Sequence, residues 1–231
     1  MKDDLKILTS NSSRTVLDGL ASAFERAGGR RYSVEFDSAK SMLARIVGGE
    51  TGDIVILGTA ALADLEKLGT VRPGSRRPFA RSRVGLAVRS GAARPDISTV
   101  DAFKRALLDA KSVAHTVHGA SGMYVPVLLE RLGIAAQVKP KTITRPGGYI
   151  GGVVASGEAE VAVQQIVELK AVPGIDIVGP LPEEIQQVIE TAAGIFSSSS
   201  QPDAAEELIR FLLSPAAAGV FREVGLEQAA T

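Results

Sequence analysis

Residues 5–57 read LKILTSNSSRTVLDGLASAFERAGGRRYSVEFDSAKSMLARIVGGETGDIVIL. Three short apolar runs in this stretch alternate with two segments, 15–27 and 41–47, whose apolar residues recur at helical spacing. The two segments end at Gly28-Gly29 and Gly48-Gly49, and paired glycines are typical helix stops. A strand–helix–strand–helix–strand order predicts a parallel sheet with helices on its faces, so the fold class is α/β.

A second series of the same kind follows a proline- and glycine-containing loop expected over residues 72–83. Pro126 is expected near the first turn of its helix, because a proline deeper inside costs about 3 kcal/mol. Ser200, with Asp203 three residues later, is expected to cap the first terminal helix. The expected elements are strand 84–88, helix 100–110, strand 112–116, helix 123–132, strand 139–143, helix 149–155, strand 160–164, strand 188–196 and helices 204–213 and 216–224.

Two α/β series followed by two left-over helices predict two lobes. The terminal helices are expected to return to the first lobe, so that lobe 1 comprises 1–84 plus 194–231 and lobe 2 comprises 85–193. The chain then crosses between lobes near 83–85 and near 193–195. Each lobe is expected to be a mostly parallel sheet flanked by helices, with a ligand cleft between the lobes.

The composition excludes several classes of function. Lysine plus arginine equals aspartate plus glutamate at 26 each, and aromatic residues make up only 4%. A balanced charge and few aromatic side chains argue against nucleic-acid binding. The chain has no cysteine, which excludes disulfides, thiolate metal sites and cysteine nucleophiles. The N-terminus lacks a basic segment followed by a long apolar one, so no signal peptide is expected in this chain.

Two polar turns in the first half connect a strand to a helix, and both are candidate anion sites. The first amide groups of a helix have no partner inside the helix and attract anions. The alternative for the first turn is simple helix capping by Ser12 or Ser13, and the alternative for the second is a capped helix with a solvated Lys40. The candidate ligand-binding residues are Ser10, Asn11 and Ser12 in the first turn and Ser38, Ala39 and Lys40 in the second.

The second half carries two glycine-rich turns, HGASGMY at 118–124 and RPGGY at 145–149, and a Gln164-Gln165 pair after an apolar strand. Glycine lets the backbone approach a ligand closely, although no Walker motif is present. The glutamine pair is equally compatible with a solvent-exposed strand end. For His115 and His118, surface or hydrogen-bonded positions are favoured over metal or general-base roles. The candidates here are His118, Ser121, Gly122, Gly148, Tyr149 and Gln164.

Five arginines occur between Arg72 and Arg83. A solvated patch is the ordinary interpretation of such a run. Arg81 and Arg83 adjoin the expected crossing, however, and guanidinium groups bind carboxylates in a bidentate manner. No nucleophile elbow, Ser-His-Asp order or dinucleotide fingerprint is present, so no catalytic residue, metal or cofactor is predicted.

These segments together resemble one family over nearly the whole chain, the type II periplasmic solute-binding proteins in their molybdate-binding-protein-like branch. The resemblance implies a monomeric, periplasmic protein that closes over a small anion and delivers it to an ABC transporter permease. It places ligand contacts on Ser12, the Ser38–Lys40 turn, Ser121, the Gly147–Tyr149 turn and Gln164. The matching stretches are ILTSNSSRTVLDGLASAF, FDSAKSMLARIVGGETGDIVI, ASGMYVPVLLERLGI, GEAEVAVQQIVEL, IVGPLPEEIQ and LIRFLLSPAAAGVFREVG.

Two positions depart from the pattern of true molybdate binders. Their second serine ligand falls on Ala39 and their tyrosine hydroxyl falls on Gln164. The sequence therefore favours a solute-binding protein for an organic carboxylate over a molybdate binder. An enzyme similar to aconitate isomerase, to which the branch also extends, is the second hypothesis. A cytoplasmic ligand-sensing module is the third, favoured only if the native gene encodes no signal peptide.

Overall fold

A computed structural model describes residues 4–229 of the chain. The described chain divides into two compact units. The first unit contains the residues up to Arg81 together with those from Glu190 onward, and the second unit is the continuous segment Ser82–Ile189. The sequence placed these divisions at 84/85 and 193/194. The chain passes from one unit to the other inside two long strands, β4 (Arg77–Arg89) and β9 (Val188–Ile195).

The first unit contains a sheet in which β1 lies between β2 and β3, parallel to both, while β9 pairs with β3 in the antiparallel direction. Short strand β10 pairs with the start of β4. The elements are β1 (Leu5–Ser10), α1 (Arg14–Arg26), β2 (Tyr32–Asp37), α2 (Ala39–Val47), β3 (Ile54–Gly58), α3 (Thr59–Lys67), α9 (Pro202–Leu212), α10 (Ala218–Val224) and β10 (Glu227–Gln228).

The second unit repeats this design. Strand β5 pairs in parallel with β6 and β7, and β4 pairs antiparallel with β7 and β8. The elements are α4 (Val100–Asp109), β5 (Val113–Thr116), α5 (Ala120–Arg131), α6 (Ala135–Val138), β6 (Thr142–Arg145), α7 (Gly151–Ala155), β7 (Val161–Gln165), α8 (Ile166–Lys170) and β8 (Ile175–Pro180).

Both faces of the second sheet are buried. Successive side chains of a strand point to opposite faces, and β7 shows this alternation clearly. Val161 and Val163 pack with α4 and α5, whereas Ala162 packs with α7. Strand β4 divides in the same way, because Val84, Leu86 and Val88 join the first cluster and Ala87 joins the second. The alternation identifies the face on which each later side chain of these strands lies.

The expected loop over 72–83 is wrong from Arg77 onward, because those residues form the first half of β4. Phe79 and Ala80 are buried there, and Ala80 pairs with Gln228 of β10. A pairing between residues so distant in sequence leaves no local pattern. Within residues 4–229, no helix is both long and apolar enough to cross a membrane.

Two expected helix details are also wrong. Pro126 lies well inside α5 rather than in its first turn. Val125 and Leu128 bury the apolar face of that helix, and this burial outweighs the lost backbone hydrogen bond. Helix α9 begins at Pro202 after Gln201, so Ser200 does not cap it. Proline at the first helical position supplies the start signal instead.

Candidate functional site

The two polar turns of the first unit lie at the same edge of its sheet. Strands β1 and β2 run parallel, and Ser10 at the end of β1 is opposite Asp37 at the end of β2. The segments that follow, one before α1 and one before α2, therefore begin side by side. This is the edge of an open α/β sheet at which ligands bind.

The first turn forms a single 3-10 turn, Asn11–Ser13, before α1. Ser10, Ser12 and Ser13 are all buried, and the hydroxyl oxygens of Ser10 and Ser12 lie 3.1 Å apart. Neither Ser10 nor Ser13 makes a side-chain cap at the helix start that follows it. The capping interpretation of this turn is thus not supported at those two serines, and Ser12 donates to or accepts from a neighbouring hydroxyl.

The second turn is a capped helix start. The Ser38 hydroxyl accepts a hydrogen bond from the Ser41 backbone N–H at 3.3 Å and donates to the Ser41 hydroxyl at 2.8 Å. Ala39 is the first residue of α2. Lys40 is exposed, and no ion pair to it is seen in the part of the chain that the structure describes. Ser38 therefore has a structural role, whereas the Lys40 ammonium group is available.

The two glycine-rich turns of the second unit also lie side by side. The Val117 N–H donates to the Arg145 carbonyl oxygen and the His118 N–H to that of Pro146, each at 2.8 Å. Gln164, on strand β7, fixes the second turn through two hydrogen bonds. Its side-chain oxygen accepts from the Ile150 N–H at 2.9 Å, and its NH₂ group donates to the Gly148 carbonyl at 2.8 Å.

Gln164 is buried, so the alternative of a solvent-exposed strand end is wrong. The oxygen and the NH₂ group of its amide both form hydrogen bonds with backbone groups of the turn that contains Gly148 and Tyr149. Gln164 consequently positions that turn, and its amide has little hydrogen-bonding capacity left for a ligand.

The start of α5 is built against Thr116. A Cβ atom on Gly119 would lie 2.6 Å from the Thr116 hydroxyl oxygen. A Cβ atom on Gly122 would collide with both the carbonyl and the hydroxyl oxygen of Thr116. Only glycine allows this close approach. The hydroxyls of Thr116 and Ser121 are buried there without a hydrogen-bond partner among the described residues.

Unpartnered buried polar atoms are concentrated in the second unit. Such an atom costs roughly 1–3 kcal/mol, so a cluster of them requires an explanation. Ser82 lies two residues before Val84, and Val84 is opposite Gln165 in the β4–β7 ladder. Strands β5 and β7 are parallel neighbours, so their ends lie at the same edge of the sheet. In the described part of the chain, the atoms in this unit are Ser82 Oγ, Arg83 Nε, Thr116 Oγ1, Ser121 Oγ and Gln165 Oε1, and the atom in the other unit is Ser214 Oγ.

The sequence did not single out Ser82 or Thr116 as site residues, and Gln165 was noted only as the second member of the Gln164-Gln165 pair. The signal for Ser82 was available, because it continues the alternation of Val84, Leu86 and Val88 with a polar residue. The expected loop over 72–83 concealed it.

The two arginines at the expected crossing both form ion pairs. Arg81 Nε lies 3.2 Å from a carboxylate oxygen of Glu190, and both side chains are about half exposed. Arg83 pairs with Glu183. Each guanidinium group thus has a carboxylate partner, although Arg83 Nε is buried without one. Of the three candidate cations, Lys40 is the one without an ion pair among the described residues.

The histidines show no metal-binding arrangement. His115 is buried in β5, with Nδ1 2.7 Å from the Thr116 carbonyl oxygen. Burial lowers the pKa of His115, and the hydrogen bond to Thr116 partly opposes this. His118 is half-buried in the turn before α5. No cluster of three potential metal ligands occurs among the residues that the structure describes.

Glu168 on α8 is a further buried group, with 5% exposure. Burial raises the pKa of Glu168 to about 8, while hydrogen bonds from Gln165 and Gln164 oppose the rise. The carboxyl group is therefore largely un-ionised at neutral pH. A neutral acid at this edge avoids repulsion of a bound anion.

Comparison with known proteins identifies the family. Residues 5–227 match the model of a family described as bacterial extracellular solute-binding protein. The chain belongs to this family. Among curated proteins, this solute-binding protein is 36% identical over 229 residues to a Pseudomonas protein named aconitate isomerase. The matched region covers 96% of this chain and 87% of that protein.

Solved structures confirm the fold of this solute-binding protein as that of the type II periplasmic binding proteins. The periplasmic molybdate-binding protein of Azotobacter vinelandii aligns with a TM-score of 0.82 at 19% identity, covering 99% of this chain and 100% of that one. The sulfate-binding protein of Mycobacterium tuberculosis aligns with a TM-score of 0.75 at 16% identity, covering 97% and 86%. The mixed α/β prediction, with helices flanking the sheets, is confirmed.

Proposed function

We propose that this solute-binding protein captures a small organic anion with more than one carboxylate group. The observation that carries the proposal is the start of α5. Two buried hydroxyls, Ser121 Oγ and Thr116 Oγ1, have no partner among the described residues. They lie beside the first turn of a helix, where backbone N–H groups and the helix dipole favour negative charge. A ligand carboxylate meets these donors and removes the cost of leaving them unpaired.

We propose that Ser12 of the first unit and Ser121 of the second bind the same ligand, as the family resemblance implies. The protein then acts as the periplasmic component of an ABC importer and delivers its ligand to a membrane permease. Family membership supports this role, and alanine variants of Ser12 and Ser121 test it, because each is expected to weaken binding of the same compound.

Charge makes a cation necessary. Burying two or three carboxylates without compensation is costly, and each helix N-terminus supplies only about 0.3–1 kcal/mol. Of the three cation candidates, Arg81 and Arg83 are ion-paired. Lys40, in the first turn of α2, is the available one.

Lys40→Ala is expected to weaken carboxylate binding about tenfold, because one charge-assisted contact is lost. Isothermal titration calorimetry with the compound found by screening measures this. Lys67→Ala is the matched control, since Lys67 is also exposed but pairs with Asp64 on α3. If Lys40→Ala, Arg81→Ala and Arg83→Ala all bind as the wild type does, a less charged solute must replace the carboxylate.

The screening experiment is a thermal-shift assay against di- and tricarboxylates, sulfate and molybdate. A ligand that binds the folded state raises the melting temperature by mass action. We expect a di- or tricarboxylate to raise it and molybdate to have little effect. Ala39 has no hydroxyl to offer, and the Gln164 amide is engaged by Gly148 and Ile150. Submicromolar molybdate binding would contradict the proposal.

Catalysis is a second candidate function, favoured by the 36% identity to the protein named aconitate isomerase. The reaction to be tested is the cis–trans isomerisation of aconitate. Chromatographic separation of the two isomers, after incubation with the purified protein, distinguishes the candidates. Turnover establishes an enzyme, whereas a thermal shift by aconitate without turnover establishes a binding protein.

A further inference from the structure

Gln165 differs from its neighbour Gln164 in one respect. Both amides are buried, but only that of Gln164 has partners at both ends. The NH₂ group of Gln165 donates to Glu168 Oε2 at 3.3 Å, while its oxygen, Oε1, has no partner within the described residues. A buried acceptor left without a donor costs free energy, because it has lost its hydrogen bonds to water and gained none in the protein.

Glu168 determines which end of the Gln165 amide lacks a hydrogen-bond partner. Its carboxyl oxygen accepts from the Gln165 NH₂ group, which turns the amide oxygen away from Glu168. Glu168 is itself buried and forms no ion pair in the described chain, so no cation competes for that oxygen. Short helix α8 starts directly after Gln165, and this fixes the spacing between the two residues.

The strand alternation places the Gln165 side chain at the proposed ligand site. Val161 and Val163 pack with α4 and α5, so Gln165, two residues further, lies on that same face. On β4, Ser82 shares a face with Val84 and is buried without a hydroxyl partner. Since Val84 is opposite Gln165, the Ser82 hydroxyl, the Gln165 oxygen and the start of α5 belong to one corner of the second unit.

Resting on the proposed function, we propose that Gln165 is a specificity-determining residue whose carbonyl oxygen accepts a hydrogen bond from a hydroxyl group of the ligand. The ligand class is then a hydroxylated polycarboxylate. A fully ionised oxyanion such as sulfate or molybdate has only acceptor atoms, so it leaves this oxygen unpaired. A polycarboxylate without a hydroxyl group leaves it unpaired as well. An unmet buried polar group discriminates strongly against an analogue that lacks the partner.

Matched ligand pairs test the inference. Citrate and tricarballylate share a carbon skeleton and three carboxylates but differ by one hydroxyl, and malate and succinate differ in the same way. Calorimetry with the full-length protein is expected to show the hydroxylated member of at least one pair binding five- to tenfold more tightly. Gln165→Met removes the acceptor and is expected to reduce the preference to within about twofold, mainly by weakening the hydroxy acid.

A second variant tests the same inference if Gln165→Met does not fold. Glu168→Leu leaves Gln165 in place but releases its amide, and the preference is expected to fall as well. Gln187→Met is the matched control, because Gln187 is an exposed glutamine of the same unit. Equal binding of both members of each pair by the wild type, or an unchanged preference in Gln165→Met, overturns the inference and leaves the proposed function standing. If no carboxylate binds the wild type, both fail.

Discussion

The two units carry similar turns but treat their hydroxyl groups differently. In the first unit the hydroxyls are paired locally, Ser10 with Ser12 and Ser38 with Ser41. In the second unit the hydroxyls of Thr116 at the end of β5, Ser121 at the start of α5 and Ser82 in β4 are buried without partners in the described structure. The strand ends and helix starts of two α/β units can thus differ in whether their hydroxyl groups are hydrogen-bonded within the protein.

The difference indicates that the two units contribute to ligand binding in different ways. A helix start whose polar groups are hydrogen-bonded within the protein is stable without a ligand. Buried polar groups without partners raise the free energy of the unliganded state, and a ligand that forms hydrogen bonds with them removes this cost. We therefore expect the second unit to determine which ligand is preferred, and the first unit to contribute charge through Lys40. Three predictions test this contrast.

The largest effect is expected from Gly122→Ala. The added methyl group meets the backbone of Thr116, which cannot move aside as a flexible side chain does. We expect a loss of about 3 kcal/mol or more in the free energy of unfolding, measured by urea denaturation, together with loss of ligand binding. Gly152→Ala on α7 is the control. A Cβ atom there meets nothing within 4 Å, so this variant is expected to be neutral or slightly stabilising. Equal stability of the two variants would show that the start of α5 is not rigid.

Glu168→Gln is expected to change how stability depends on pH. The pKa of Glu168 is about 8 in the folded protein, above the ordinary 4.5 of the unfolded chain. The stabilisation is complete below about pH 4.5 and is lost as the pH rises to about 8, because the unfolded carboxyl ionises first. Urea midpoints at about pH 5 and pH 8 should therefore differ more in the wild type than in the variant. The exposed Glu130→Gln variant is the control, and a wild-type slope retained in Glu168→Gln contradicts the assignment.

The smallest effect contrasts two serines. Ser38→Ala removes a helix cap and is expected to destabilise the unliganded protein by about 1 kcal/mol. Ser121→Ala removes a hydroxyl without a partner, so the unliganded protein should be as stable as the wild type or more so, while the ligand-induced thermal shift is lost. Thermal melts with and without ligand measure both. If Ser121→Ala destabilises the unliganded protein as much as Ser38→Ala does, the contrast between the units fails.

The alternation of strands and helices along the chain and the position of the turns could be predicted because they depend on local patterns. The alternating apolar segments of 5–57 and their glycine stops are visible without a structure, and so are the polar residues at the strand ends. The turns at 118–124 and 145–149 were identified from glycine alone, and the structure brings them together.

The partners of individual side chains could not be predicted in the same way. The environment of Ser82 depends on the pairing of β4 with β7, and these strands are distant in sequence. Gln164 and Gln165 are adjacent in the chain but point to opposite faces, so one amide is satisfied and the other is not. Which of the two is free depends on α7 and α8, short helices whose packing is tertiary. Strand β8 and helix α8, of six and five residues, were not predicted from the sequence.

The two passages of the chain through β4 and β9 have a consequence for synthesis on the ribosome. The second unit is one continuous segment, whereas the first is interrupted and lacks β9, α9 and α10 until the last part of the chain emerges. Strand β3 accordingly has an unpaired edge while the inserted segment is translated, since β9 is its antiparallel neighbour. The second unit can thus complete its sheet first, and the nascent first unit exposes a strand edge that other nascent chains or chaperones can recognise.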